Sequence, residues 1–530
     1  MRRLSTLRLI GFSAVVLTAV VLVGNLLVER LERGGLVETS LPGDRVQFVE
    51  ERLFAPDGKG SWHTTPYAEE SLIRSRFAQD KDEALRVFVL GGSFAMGSPY
   101  LLQRYPDRGG GIPSFLRRAL EQANPGRTIE VINVAAGAQN AARVRSIAEQ
   151  VFTLSPDLLV IASCNNEGEL PPGALRRFMN EQGGYRLLKR IVQAGASSAA
   201  SPSWYTPQDP DTQQVRQGFR DNIRAVLAQA EARQVPVLLA TLPVNLRYQG
   251  FDTGGHLIGD EVAMPLPPDV APPDALPRLP SLTDQPACTT GVLLFEAQAH
   301  EAALPLLRDC IREGVSMPRL DHVLHAHVAL AEYELGRATD WSRQVLEQTF
   351  GPCLAQGMAL RYAGDLDGAA EQLSSCDDVA EATRQLGLVA LARRDLAAAD
   401  ALLAQAVELE PHNRCRPSFN QILREEAARS PVTTLVDLES HARSLSPDGL
   451  PGPELYVDYC HMNWRGYAAM TGPFLQAIPR VLPGVVAEPL DWEAEGRRMG
   501  LPPGDAVEQI RVTNDWVRAD PMPYPQLPGW

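Results

Sequence analysis

Five short apolar runs constrain this chain more than any other feature: "RVFVLGG" from Arg86, "IEVINVAAG" from Ile129, "DLLVIASCNN" from Asp157, "VPVLLATLPV" from Val235 and "TTLVDLES" from Thr433. Runs this brief and this rich in Val, Ile and Leu read as strands buried on both faces. Helical patterns lie between most of them, as in "IPSFLRRALEQA", "QNAARVRSIAEQVFTL" and "RDNIRAVLAQAEARQ". Alternating strand and helix predicts an α/β fold, a three-layer α/β/α sandwich around a five-stranded parallel sheet.

The alternation breaks between the fourth and fifth runs. Residues 245–286 hold "PLPPDVAPPDALPRLPSL", too proline-rich for a helix interior. From Thr289 to Asn413 the chain turns helical and alanine-rich with no strand signal. "ATRQLGLVALARRDLAAADALLAQAVELEPHN" places Leu386 and Gly387 in a first helix, Ala399, Leu403 and Ala406 in a second, and Pro411 at its close. "LAQGMALRYAGDLDGAAEQLSSC" sets Gly357, Gly364, Ala369 and Leu373 at matching offsets, and "HVALAEYELGRATDWSRQVLEQTF" and "FEAQAHEAALPLLRDCI" are weaker copies. This pattern resembles the tetratricopeptide repeat, with units spaced more closely than its usual 34 or so residues. A plain helical bundle with alanine at its contacts is the alternative. An all-α helical-repeat insertion implies a protein partner for its groove.

The N-terminus is different again. Arg2, Arg3 and Arg8 precede "LIGFSAVVLTAVVLVGNLLV", about twenty uncharged residues and long enough to span a bilayer. An uncleaved anchor is expected, because a signal peptide has a shorter apolar region ending at a small-x-small site. The basic flank holds the N-terminus inside, which places the rest on the outer side of the cytoplasmic membrane, periplasmic or extracellular. A formal net charge of −14, with no long Lys/Arg run, argues against nucleic acid as a partner. Seven cysteines, odd in number and without C-x-x-C pairs, suit neither a zinc site nor a dense disulfide framework. One or two bridges are compatible with an oxidising compartment, and the spacing does not choose between pairings.

Ligands of an open parallel sheet bind beyond the carboxyl ends of its strands. The first strand delivers Ser93 in a turn with Gly91 and Gly92, and the second ends at Gly137. The third ends in "CNNE", with Asn165 and Asn166 adjacent, and after the fifth comes "YVDYCHMNWRGYAAM", with Asp458 and His461 three residues apart. Each has a bland reading as a turn serine, a turn glycine, a helix cap or a surface histidine. Together they set a nucleophile, polar donors and an acid/base pair on one edge of one sheet. The chain carries neither G-x-x-x-x-G-K-[ST] nor G-x-G-x-x-G.

The blocks "VLGGSFAMG", "CNNE" and "DYCHMNWRGY" resemble those of the SGNH (GDSL-like) hydrolases, over about Arg86–Val244 and Pro417–Leu482. Two positions depart from the family pattern: Gly92 stands where its aspartate is usual, and Cys164 where a glycine is expected. The resemblance implies a flavodoxin-like sheet, Ser93 as nucleophile, His461 as general base and then acid, and Asp458 as the carboxylate that orients it. It further implies an oxyanion hole from the backbone N–H groups of Ser93 and Gly137 and the Asn166 side chain, each donor worth on the order of a hundredfold in rate. No cofactor and no metal is called for; His322, His325 and His327 lie in the helical insert without a carboxylate pattern.

The implied activity is a membrane-anchored serine esterase on ester-linked acyl groups, of O-acetylated envelope glycans or lipid-derived esters. The alternatives are an O-acyltransferase using the same site, or an inactive scaffold that binds protein through its repeats. The expected layout is a transmembrane anchor over 1–30, a linker or extension over 31–84, a first hydrolase part over 85–250 and a proline-rich linker over 251–286. Tetratricopeptide-like repeats follow over 287–413, then the second hydrolase part over 414–482 and a proline-rich extension over 483–530.

Overall fold

The computed structural model describes residues 52–65, 74–100, 110–137, 139–167, 210–249, 286–312, 318–377, 379–409 and 414–499, with Gly24, Val28, Arg30, Pro268 and Leu501 singly. The expected anchor lies outside these residues except at Gly24, Val28 and Arg30, which are helical. Among the described residues no helix is long and apolar enough to cross a membrane.

The chain first forms a small antiparallel sheet, β1 (Phe54–Pro56), β2 (Ser61–Thr64) and β3 (Arg76–Ala78), inside the segment read as linker. Strands of three or four residues leave too little periodicity to be seen in sequence. Phe77 of β3 packs edge-on against Phe54 and Phe88, and the buried Arg86 guanidinium lies over its ring.

The five apolar runs become β4 (Leu85–Gly91), β5 (Ile129–Asn133), β6 (Leu158–Ala162), β7 (Val237–Thr241) and β8 (Thr433–Asp437). They form one sheet of order β5-β4-β6-β7-β8, every pairing parallel. The three central strands are buried at every position, which accounts for runs that are apolar without alternation. Strand order reverses where β4 meets β6, and in such folds that crevice receives the ligand. The helices of this first half are α1 (Ser93–Met96), α2 (Ile112–Ala123), α3 (Ala141–Val151) and α4 (Pro210–Ala232).

Between β7 and β8 come only helices: α5 (Pro286–Glu296), α6 (His300–Arg312), α7 (Pro318–Glu334), α8 (Asp340–Tyr362), α9 (Leu366–Leu373), α10 (Val379–Ala392) and α11 (Leu396–Leu409). Gly351 in α8 has φ 76° and precedes Pro352, so α8 is kinked and serves two successive hairpins. A glycine in the first helix meets a leucine in the second at a constant offset. Added Cβ atoms on Gly291, Gly357 and Gly387 would sit 3.0, 2.6 and 2.8 Å from the side chains of Leu307, Leu373 and Leu403, each sixteen positions on. Ala329 and Val345, both fully buried, occupy the same offset in the remaining hairpin. The helical region thus repeats one packing contact in three hairpins and sets two buried residues at the same spacing in the fourth.

Three disulfides form where one or two were expected. Cys288–Cys310 joins α5 to α6, Cys353–Cys376 joins α8 to the turn after α9, and Cys164–Cys415 crosses 251 residues. The last hairpin is tied to the α/β domain: Arg384 of α10, paired with Glu381, donates to the Tyr248 carbonyl at 2.9 Å. Glu408 of α11 accepts from Arg216 of α4 and from the Ser418 N–H.

After the insert the chain completes the sheet with α12 (Pro417–Arg429), β8, α13 (Leu438–Leu445), α14 (Trp464–Val481) and α15 (Trp492–Met499). Helices α3, α4 and α12 cover one face and α2 and α14 the other, giving three layers. Arg220 and Arg224 of α4 bind Glu425 and Glu426 of α12 across the outer surface of the first layer.

Candidate active site

Ser93 is positioned by a strand that ends in two glycines. Gly91 has φ +149°, and a Cβ there would fall 2.0 Å from the Ala162 carbonyl of neighbouring β6. Only glycine lets β4 turn into α1 this close to β6. A Cβ on Gly92 would approach the Asn166 amide nitrogen to 2.8 Å. This is the position where the resemblance led to an aspartate. The Asn166 side chain therefore lies against the backbone immediately before Ser93, and its Nδ2 donates to the Gln139 carbonyl at 3.2 Å.

His461 arrives from the far side of the insert, 368 positions later, with its Nε2 2.7 Å from Ser93 Oγ. Its Nδ1 is 2.6 Å from Asp458 Oδ2. A carboxylate only accepts, so Nδ1 carries the proton and Nε2 is free to accept from the serine hydroxyl. The loop fixes this register through its own backbone: the N–H groups of Cys460 and His461 donate to Asp458 Oδ1 at 2.8 and 2.6 Å. Burial disfavours the imidazolium, but the Asp458 carboxylate, together with the Cys460 side chain, more than offsets this and holds the His461 pKa well above its ordinary value.

Several residues that sequence reasoning passed over hold this arrangement. Asn245, just beyond β7, donates from Nδ2 to the Asp458 carbonyl at 2.9 Å and from its backbone N–H to the Tyr459 carbonyl. Tyr467 of α14 donates its hydroxyl to the Ser98 carbonyl at 2.6 Å, joining the helix after His461 to the turn after α1. Glu167 accepts from the Ala141 N–H at 2.5 Å, and so links the loop after β6 to the start of α3. Burial pushes its carboxyl pKa up to about 8, against the opposing pull of that N–H and of Arg416. Cys164, the second departure from the family pattern, is bonded to Cys415 and staples the Asn166 loop to the start of the segment that leads into α12.

Ser93, Asp458 and His461 are thus joined by hydrogen bonds, and Asn166 stands beside them. Gly137 follows Ala136, whose N–H donates to the Gly91 carbonyl at 3.0 Å, so it lies in the loop facing the serine turn. Its own carbonyl accepts from the Gln139 side chain at 3.0 Å. The Ser93 N–H belongs to the first turn of α1, where the helix supplies no acceptor. His325 and His327 are elsewhere, buried in the insert against Trp341 and Phe295. Such a set can activate a hydroxyl for attack on a carbonyl carbon and offer N–H donors to the oxyanion that forms. No family model, curated protein or solved structure matches this chain, which leaves the geometry around Ser93 to carry its functional reading.

Proposed function

We propose that this chain is a serine esterase of the SGNH type, cleaving ester-linked acyl groups through a covalent Ser93 intermediate. The observation that carries the reading is the continuous pair of hydrogen bonds from Ser93 Oγ to His461 Nε2 and from His461 Nδ1 to Asp458. In the first half-reaction His461 takes the hydroxyl proton as Ser93 attacks the ester carbonyl. It then returns that proton to the departing alcohol. Water, activated by the same imidazole, releases the acid and restores the serine. Asn166 and the N–H groups of Ser93 and Gly137 stabilise the tetrahedral oxyanion in both halves.

Three disulfides support an oxidising compartment. With the apolar segment near the N-terminus they favour a membrane anchor with the catalytic domain outside, where acetylated glycans or lipid-derived esters are the substrates. The four hairpins are read as tetratricopeptide-like repeats that dock an envelope protein. The test is turnover of short-chain nitrophenyl esters by the detergent-solubilised full chain, against Ser93→Ala. Turnover by the parent and none above background by the variant is expected; equal rates in both would remove the esterase reading.

The acid limb of the pH profile is a second check. His461 must be neutral to accept the serine proton, so activity is lost as pH falls through its folded pKa. Because Asp458 raises that value, the limb in kcat/KM is expected above the ordinary imidazole range of about 6.5. A midpoint at or below that range would mean that the carboxylate does not act on the imidazole as drawn.

A further inference from the structure

Cys460 is the one cysteine outside the three bridges, and it is buried between the two polar members of the triad loop. Its Sγ is 3.7 Å from His461 Nδ1, and the same nitrogen is 2.6 Å from Asp458 Oδ2. One donor atom from each of Asp458, Cys460 and His461 lies within 4.8 Å of the others, the only such group of three among the described residues. We propose that these three side chains form a site for a single thiophilic divalent cation, with zinc as its type, and that occupancy switches the serine esterase reaction off.

The donor set is one oxygen, one sulfur and one imidazole nitrogen, which suits zinc and disfavours magnesium or calcium. Bonds of about 2.0 Å to nitrogen and oxygen and about 2.3 Å to sulfur set tetrahedral ligands about 3.3 to 3.5 Å apart. The sulfur–nitrogen separation is already close to this. The nitrogen–oxygen pair must open by less than about 1 Å, which a small rotation of the carboxylate supplies. Asp458 Oδ1 stays on the Cys460 and His461 N–H groups, so Oδ2 is the oxygen presented to the ion. Three protein ligands leave the fourth position to water.

Uptake of the ion releases the thiol proton to solvent, while the Nδ1 proton shifts to Nε2, so the imidazole stays neutral as its Nδ1 lone pair goes to the metal. The Asp458 charge is then spent on the cation instead of on a developing imidazolium. Ser93 keeps its neighbour at Nε2, but that nitrogen now carries a proton and has no lone pair with which to take another. The inhibitory half of this proposal rests on the esterase reading; the binding half does not.

The full-length Ser93→Ala protein retains all three ligands and serves as the binding probe, titrated with Co²⁺ as a spectroscopic stand-in for zinc. One equivalent should bring up a sulfur-to-cobalt charge-transfer band, which Zn²⁺ displaces. The band should be missing when Cys460→Ala or Cys460→Ser is added. In the active chain Zn²⁺ should inhibit ester turnover, and Cys460→Ala, measured against its own zinc-free rate, should need at least about tenfold more zinc for half-inhibition. No band in Ser93→Ala, or inhibition by zinc that is the same in Cys460→Ala, would overturn the site. A band with no turnover in the parent would sink the esterase reading and leave the cation site standing.

Discussion

Asparagine at position 458 is expected to lower kcat on esters by about 10⁴-fold while leaving KM and the unfolding midpoint nearly unchanged. Asp458 makes two kinds of contact, and the substitution separates them. Its Oδ1 accepts the Cys460 and His461 N–H groups, and an asparagine oxygen can do the same, so the loop keeps its shape. The other end becomes an NH₂, which can only donate. His461 Nδ1 must then give up its proton to accept, and the proton moves to Nε2, where it faces Ser93 Oγ. The base is in place with no lone pair to offer. Steady-state kinetics and thermal unfolding of Asp458→Asn check this, and a kcat within tenfold of the parent would show that Asp458 does not set the tautomer.

The second large effect falls on stability. Cys164 and Cys415 are separated by 251 residues, and in the chain-entropy account a loop of that length is worth about 5 kcal/mol through the unfolded state. Replacing both by alanine is expected to lower the unfolding free energy by about 3 to 5 kcal/mol, measured as a shifted denaturant midpoint of the full chain under non-reducing conditions. Kinetics should also respond, because Cys164 lies two positions before Asn166 and the bridge holds that loop. A lowered kcat with unchanged KM is the signature of an oxyanion donor that has lost its place. An unshifted midpoint would mean that the helical insert, through Arg384 and Glu408, already fixes this junction without the bond.

The five strands were legible because the central ones are buried on both faces, so their sequence is continuously apolar and short. Ser93 was legible for a related reason, since it stands directly at the end of β4, whereas Asp458 and His461 lie beyond α13 and were legible from their three-residue spacing just ahead of a helix. Asn245 was within reach of the same logic, since "VPVLLATLPVN" delivers it at the end of β7. A lone asparagine after a proline reads as an ordinary turn residue, and what it does depends on a loop 213 positions away. Disulfide pairing was out of reach because it follows proximity alone: Cys164 and Cys415 have Cα atoms 4.9 Å apart and no local signal that joins them. The small sheet β1–β3 was hidden by strands too short to show a period. Gly92, where aspartate is usual in the resembled family, carries no signal in a single sequence; a Cβ there would come 2.8 Å from the movable end of the Asn166 side chain.

The placement of the helical insert between β7 and β8 also sets an order in time. Ser93 leaves the ribosome 368 residues before the histidine that hydrogen-bonds it, and every helix of the insert is made in between. A nascent or truncated chain that has exposed Ser93 therefore lacks the histidine that the proposed reaction needs as its base. The edge strand β8, without which the sheet is incomplete, arrives in the same late segment as Asp458 and His461. Completion of the core and delivery of His461 to Ser93 thus become one event, and under the esterase reading proposed above a partly made chain has no activity on the side where it is synthesised.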